Sequence, residues 1–157
     1  MTKEEINEYS YRVTQASKTE LIVIMYEMTG NYTRDAVSAY DLEDFESFRD
    51  NLKKAQRVIN KLSASLDMNI RISKDLFGLY LYMNNTIVKA SIRKEKEELD
   101  MVMLMLEKLG SAFKKVSIED GSGPVMKNTQ QVYAGLTYSN DGLNEYHDNS
   151  LKRGFSV

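Results

Sequence analysis

Phe45, Phe48, Leu52, Ala55, Ile59, Leu62 and Leu66 follow one another at steps of 3, 4, 3, 4, 3 and 4. An α-helix turns about 100° per residue, so this spacing gathers all seven side chains on one stripe; a strand would scatter them over both faces. A helix with one apolar stripe is not stable by itself and must bury that stripe against other helices. Leu99, Val102, Leu106, Leu109, Phe113 and Val116 repeat the alternating spacing further along. The chain is therefore built from helices packed side by side.

Two further segments complete the set. Ser17 with Glu20 three residues on is a capping box, opening a helix that runs to about Tyr40. Asp41–Asp44 punctuates before the Phe45 helix, and Ser73 is the expected N-cap of a third helix ending near Ile92. The fourth runs from about Glu95 to Val116. Four helices of about 20 residues, each about 30 Å long and joined by short loops, make an antiparallel bundle. The expected fold is all-α: an N-terminal arm (1–16), a four-helix bundle (17–116) and a Gly/Asn/Ser-rich C-terminal tail (117–157). The tail holds the only Pro, the only His and five of the eight Gly. It also holds a short tandem pair, Gly135-Leu-Thr-Tyr-Ser-Asn-Asp141 and Gly142-Leu-Asn-Glu-Tyr-His-Asp148. Its composition is that of a disordered segment, and its spaced aromatics offer the alternative of filling an apolar groove.

Composition removes whole classes of function. With no Cys and the single histidine His147, neither thiol chemistry nor any site needing two imidazoles is available. No catalytic, cofactor or metal site is expected. Arg34, Arg49, Arg57, Arg71 and Arg93 fall outside the apolar seams, whereas a helical enzyme for an acidic substrate would gather several inside the bundle. A net charge of −2 provides no footprint for nucleic acid. The longest apolar runs, Leu21–Tyr26 and Met101–Leu106, are six residues each, too short to span a membrane. A soluble, cytoplasmic protein is expected.

Three of the helices carry more apolar surface than a bundle buries. Beside the fourth helix's seam, Met101, Leu104, Met105 and Ala112 group on the opposite side. On the third, Leu76, Leu79, Tyr80, Met83, Ile87 and Ala90 form one face, while Phe77, Leu81, Val88 and Ile92 form another. On the first, Leu21, Ile24, Met25, Met28 and Tyr32 oppose Ile22, Tyr26 and Val37. Surplus apolar helix surface marks a partner site, and methionine lets such a surface repack. An amphipathic helix lying in a groove is the simplest partner.

Several short runs then resemble one family. Tyr9-x-Tyr11-x-Val13-Thr14-Gln15-Ala16-Ser17, followed by Glu20-Leu21-Ile22-x-x-Met25-Tyr26, is similar to the opening of the flagellar secretion chaperones (FliS), the export chaperones of flagellin. Lys54-Ala55-Gln56-x-x-Ile59, Leu79-Tyr80-x-Tyr82-Met83 and Ala90-x-Ile92-Arg93 follow in the family's order, so the resemblance covers about residues 6–116. Lys18 stands where the family has proline, and Ser91 where it has asparagine. The resemblance implies a protein that binds the disordered C-terminal segment of flagellin, which folds into helices over the chaperone and is thereby kept from polymerising. It further implies docking on the cytosolic domain of the flagellar export gate. The residues expected to bind partners are Ile22 and Tyr26; Phe77, Leu81 and Val88; Met101, Leu104 and Met105; and, from the arm, Ile6, Tyr9 and Tyr11. A homodimer is left open. The alternative is a generic helical adaptor or dimerisation module with an apolar groove.

Overall fold

The computed structural model describes residues 1–126, and within them five helices follow one another. These are α1 (Lys3–Gln15), α2 (Lys18–Asp41), α3 (Phe45–Ala64), α4 (Arg71–Arg93) and α5 (Leu99–Glu119). α2–α5 form the antiparallel four-helix bundle: α2 lies along both α3 and α5, α3 lies along α4, and α4 and α5 meet only slightly. Residues 127–157, with the tandem pair, lie outside the described residues.

The seam on α3 is buried as its spacing predicts, with Phe48, Leu52, Ala55, Ile59 and Leu62 sealed from solvent. Leu76, Tyr80, Met83, Ile87 and Ala90 of α4 meet them, together with Leu99, Val102 and Leu106 of α5. The α5 seam opens towards its end: Leu109 and Phe113 are half-buried and Val116 is exposed. A 3.5-residue pattern on a straight 3.6-residue helix drifts by about 20° per heptad, and by Val116 the drift has carried the seam out of the core.

α2 follows the expected assignment only in part. Ile24 of the expected core face is buried, but the buried face also runs through Tyr26, Thr29, Thr33 and Ala36, while Leu21, Met25, Met28 and Tyr32 are half-buried, as are Ile22 and Val37 opposite. The two threonines tolerate the core because each satisfies its hydroxyl within its own helix. Thr29 Oγ1 donates to the Met25 carbonyl (2.7 Å) and Thr33 Oγ1 to the Thr29 carbonyl (2.8 Å). Tyr26, expected at the surface, is 1% exposed; its hydroxyl is hydrogen-bonded to that of Tyr80. Phe113 stacks at a tilt on the Tyr26 ring, with centroids 5.5 Å apart. Burial pushes both phenols above the ordinary tyrosine range.

Helix ends follow local chemistry. Ser17 accepts from the Glu20 N–H (3.2 Å) while the Glu20 carboxylate accepts from the Ser17 N–H (2.8 Å), completing the expected capping box without a proline at N1. Asp44 caps α3 by accepting from the Ser47 N–H, and hydrogen bonding to the Ser47 side chain and backbone holds its carboxyl below the usual range. Ser73 is not a cap: α4 starts three residues earlier, after Ile70, and Ser73 is buried in its first turn. Lys94, at φ 55° in the left-handed region, ends α4, so α5 begins at Leu99 and not at Glu95.

Candidate partner-binding surfaces

The N-terminal arm is a helix. Thr2 and Glu5 form a second capping box, a pattern the sequence contains and the spacing of apolar residues does not reveal. α1 buries none of its residues. A ladder of polar contacts holds it to α2. Arg12 Nη1 donates to Glu27 Oε2 at 2.6 Å, Asn31 Nδ2 donates to the Tyr9 hydroxyl at 2.8 Å, and the chain's amino group pairs with Asp35. Residues 27, 31 and 35 are four apart and so share one face of α2. The Glu27 carboxylate raises the Arg12 pKa, and partial burial raises that of Tyr9.

Tyr9 also closes one side of a half-open cavity of ≈ 380 Å³ between α2 and α5, whose lining includes Val23, Tyr26, Gly30, Met103, Leu106 and Gly110. Tyr9 is thus turned inward, whereas Ile6 and Tyr11 are exposed on the arm. The arm's C-terminal joint is fastened by the end of α5 and the residues after it. The Val125 N–H donates to the Ala16 carbonyl (3.1 Å), and Thr19 Oγ1 donates to Asp120 Oδ2 (2.7 Å). Hydrogen bonds from Ser122 and Thr19 hold the Asp120 carboxyl far below the usual carboxylate range.

The surplus faces of α4 and α5 are open. Phe77 (42%) and Leu81 (50%) on α4, and Met101 (50%) and Leu104 (43%) on α5, are large side chains left in solvent. Val88 and Met105 are half-buried on the same stripes. Ile22 is half-buried against the core and Tyr26 wholly within it, so α2 adds little to the exposed set. The structure therefore groups the candidates into three places: arm, α4 stripe and α5 stripe. Two features of α4 lay beyond the apolar spacing. Gly78 is exposed beside the stripe, and a Cβ there would touch nothing within 4 Å. Asn84 has a side-chain oxygen shut from solvent without a hydrogen-bond partner among the described residues. Each is a local cost to the free protein.

Among the described residues no helix is long and apolar enough to cross a membrane, and no three His, Asp or Glu side chains cluster as metal ligands. Fold and surfaces together define a class, a helical bundle with more apolar helix surface than its core uses and a lightly held arm. The family model for the flagellar protein FliS matches residues 2–120, and the chain belongs to that family. It is similar to the flagellar secretion chaperone FliS of Bacillus subtilis (strain 168), with 32% identity over 83 residues. That match covers 53% of this chain and 62% of the relative. The fold is also that of a solved structure described as a flagellar chaperone from bacteria, at a TM-score of 0.62 and 18% identity, over 67% of this chain and 87% of the other.

Proposed function

We propose that this chain is a flagellin export chaperone. It binds the C-terminal segment of flagellin in the bacterial cytosol, prevents premature polymerisation and delivers the client to the cytosolic domain of the flagellar export gate. The observation that carries this reading is the pair of solvent-facing apolar stripes, Phe77–Leu81–Val88 on α4 and Met101–Leu104–Met105 on α5, on a bundle of this family. A disordered client that folds as it binds covers such stripes with amphipathic helices. The ordering cost it meets keeps affinity moderate for the area buried, which suits later release. The arm is a displaceable cover of the α2–α5 cavity, and its outward Ile6 and Tyr11 are the residues we assign to the gate. Neither catalysis nor a cofactor enters this account.

Calorimetric titration with the C-terminal segment of flagellin from the same genome tests the reading. The expected result is a one-to-one complex, a large negative heat-capacity change and helicity gained by the segment. No binding by the full chain overturns it in favour of a helical adaptor or dimerisation module. Sedimentation of the free chain then decides between those two.

A further inference from the structure

We propose that the α3–α4 hairpin is the docking face for an acidic amphipathic helix, and that the two apolar stripes therefore differ in the client helix they take. The inference rests on the chaperone reading above and assigns a charge to one client segment.

Charge is divided unevenly along this chain. Phe45–Arg93 carries nine basic and four acidic residues, net +5, while the remaining residues carry twelve and nineteen, net −7. The overall −2 conceals that polarity. On the hairpin the positive charge borders the exposed stripe. Phe77, Leu81, Val88 and Ile92 follow at steps of 4, 7 and 4, which keeps them on one face of α4. Arg49 and Lys53 of α3 line the same depression as Val88 and Ile92, and Lys74 lies one turn before Phe77. Arg49, Lys53 and Lys74 are exposed, and among the described residues none has an ion-pair partner. Gly78, at the edge of the stripe on the Leu81 side, adds no side chain there and leaves open space beside it.

The α5 stripe lacks this border. Glu97, Glu98, Asp100, Glu107 and Lys108 surround Met101, Leu104 and Met105 in sequence, with four acids to one base. An acidic helix is attracted to the hairpin and repelled from the α5 stripe. Complementary charge chooses partner and register even where it adds little affinity.

The test uses the full chain and two labelled synthetic helices with identical apolar positions, one flanked by Glu and the other by Lys. Anisotropy titrations are run at about 0.01 M and about 1 M salt, across which the Debye length falls from roughly 30 Å to roughly 3 Å. The Glu helix is expected to bind about tenfold more tightly at low salt, with most of that gap lost at high salt. The double variant Lys53→Glu/Lys74→Glu reverses the preference, whereas Met101→Ser/Leu104→Ser leaves the affinity for the Glu helix unchanged and weakens only that for the Lys helix. Circular dichroism confirms that both variants stay folded. Equal binding of the two helices, or loss of the preference through the α5 variant alone, overturns the proposal. So does capture of phosphatidylglycerol vesicles with no binding of the Glu helix. The native flagellin segment, titrated in parallel, separates the two layers. No binding of it by the unaltered chain overturns the chaperone reading. Binding that ignores Lys53→Glu/Lys74→Glu overturns the charge assignment alone.

Discussion

α3 and α1 both lie against α2, and they are held by opposite means. α3 sets Phe48, Leu52, Ala55, Ile59 and Leu62 into a dry interior and turns mostly charged side chains outward. α1 buries nothing and relies on Arg12–Glu27, Tyr9–Asn31 and the amino group on Asp35. Half-exposed ion pairs are each worth only about 0.2–1 kcal/mol, because water and salt screen them. A 13-residue helix is also too short to persist alone in water. One chain thus contains a helix that leaves only when the protein unfolds and another that can leave while the rest stays folded. On the function proposed above, a chaperone that covers a groove and then surrenders it uses both.

That contrast can be broken most forcefully at α3. Phe48→Ala opens a void at a fully buried position and is expected to cost about 3–5 kcal/mol, read as a lower denaturant midpoint for the whole bundle. Next in size is Tyr80→Phe, which leaves the Tyr26 hydroxyl without its partner inside the core. The expected loss is about 1–3 kcal/mol, and the Tyr26→Phe/Tyr80→Phe pair is expected to recover part of it in a double-mutant cycle.

Arg12→Ala sharpens the comparison from the other side. It is expected to change global stability by at most about 1 kcal/mol while accelerating hydrogen exchange in α1 alone. If exchange in α2 and α3 accelerates equally, the arm is not an independent unit. The smallest effect is that of acid at the arm's joint. Asp120 has a depressed pKa in the folded chain, so its contribution is complete above the unfolded value of about 3.9 and is lost as the pH falls through the folded one. Nuclear magnetic resonance shifts of Thr19 and Val125 are expected to hold steady from neutral pH to about 4 and to move only below it.

How far the fold was legible depended on which residues carried it. α3 could be read directly because every seam position is apolar. α2 could not, because Thr29 and Thr33 stand in its seam and look polar until their hydroxyls are seen donating to carbonyls one turn back. Their presence shifted the expected core face towards Leu21 and Met28, and it placed Tyr26 outside. The stripes on α4 and α5 were legible from helical phase alone. The Arg12–Glu27 pair was not, since it joins two helices across 15 residues and depends on how the arm folds back. The Thr2–Glu5 capping box was present in the sequence as a signal, but it is too short to stand out without a following apolar pattern.

The hydrogen bond from Val125 to Ala16 has a practical consequence for anyone shortening this gene. A stop codon placed after Val116, where the bundle's seam ends in the sequence, would delete with residues 127–157 the Asp120 and Val125 that pin the joint between α1 and α2. Such a truncation would alter the arm while seeming to report on the tail. The cut that isolates the tail falls after Met126.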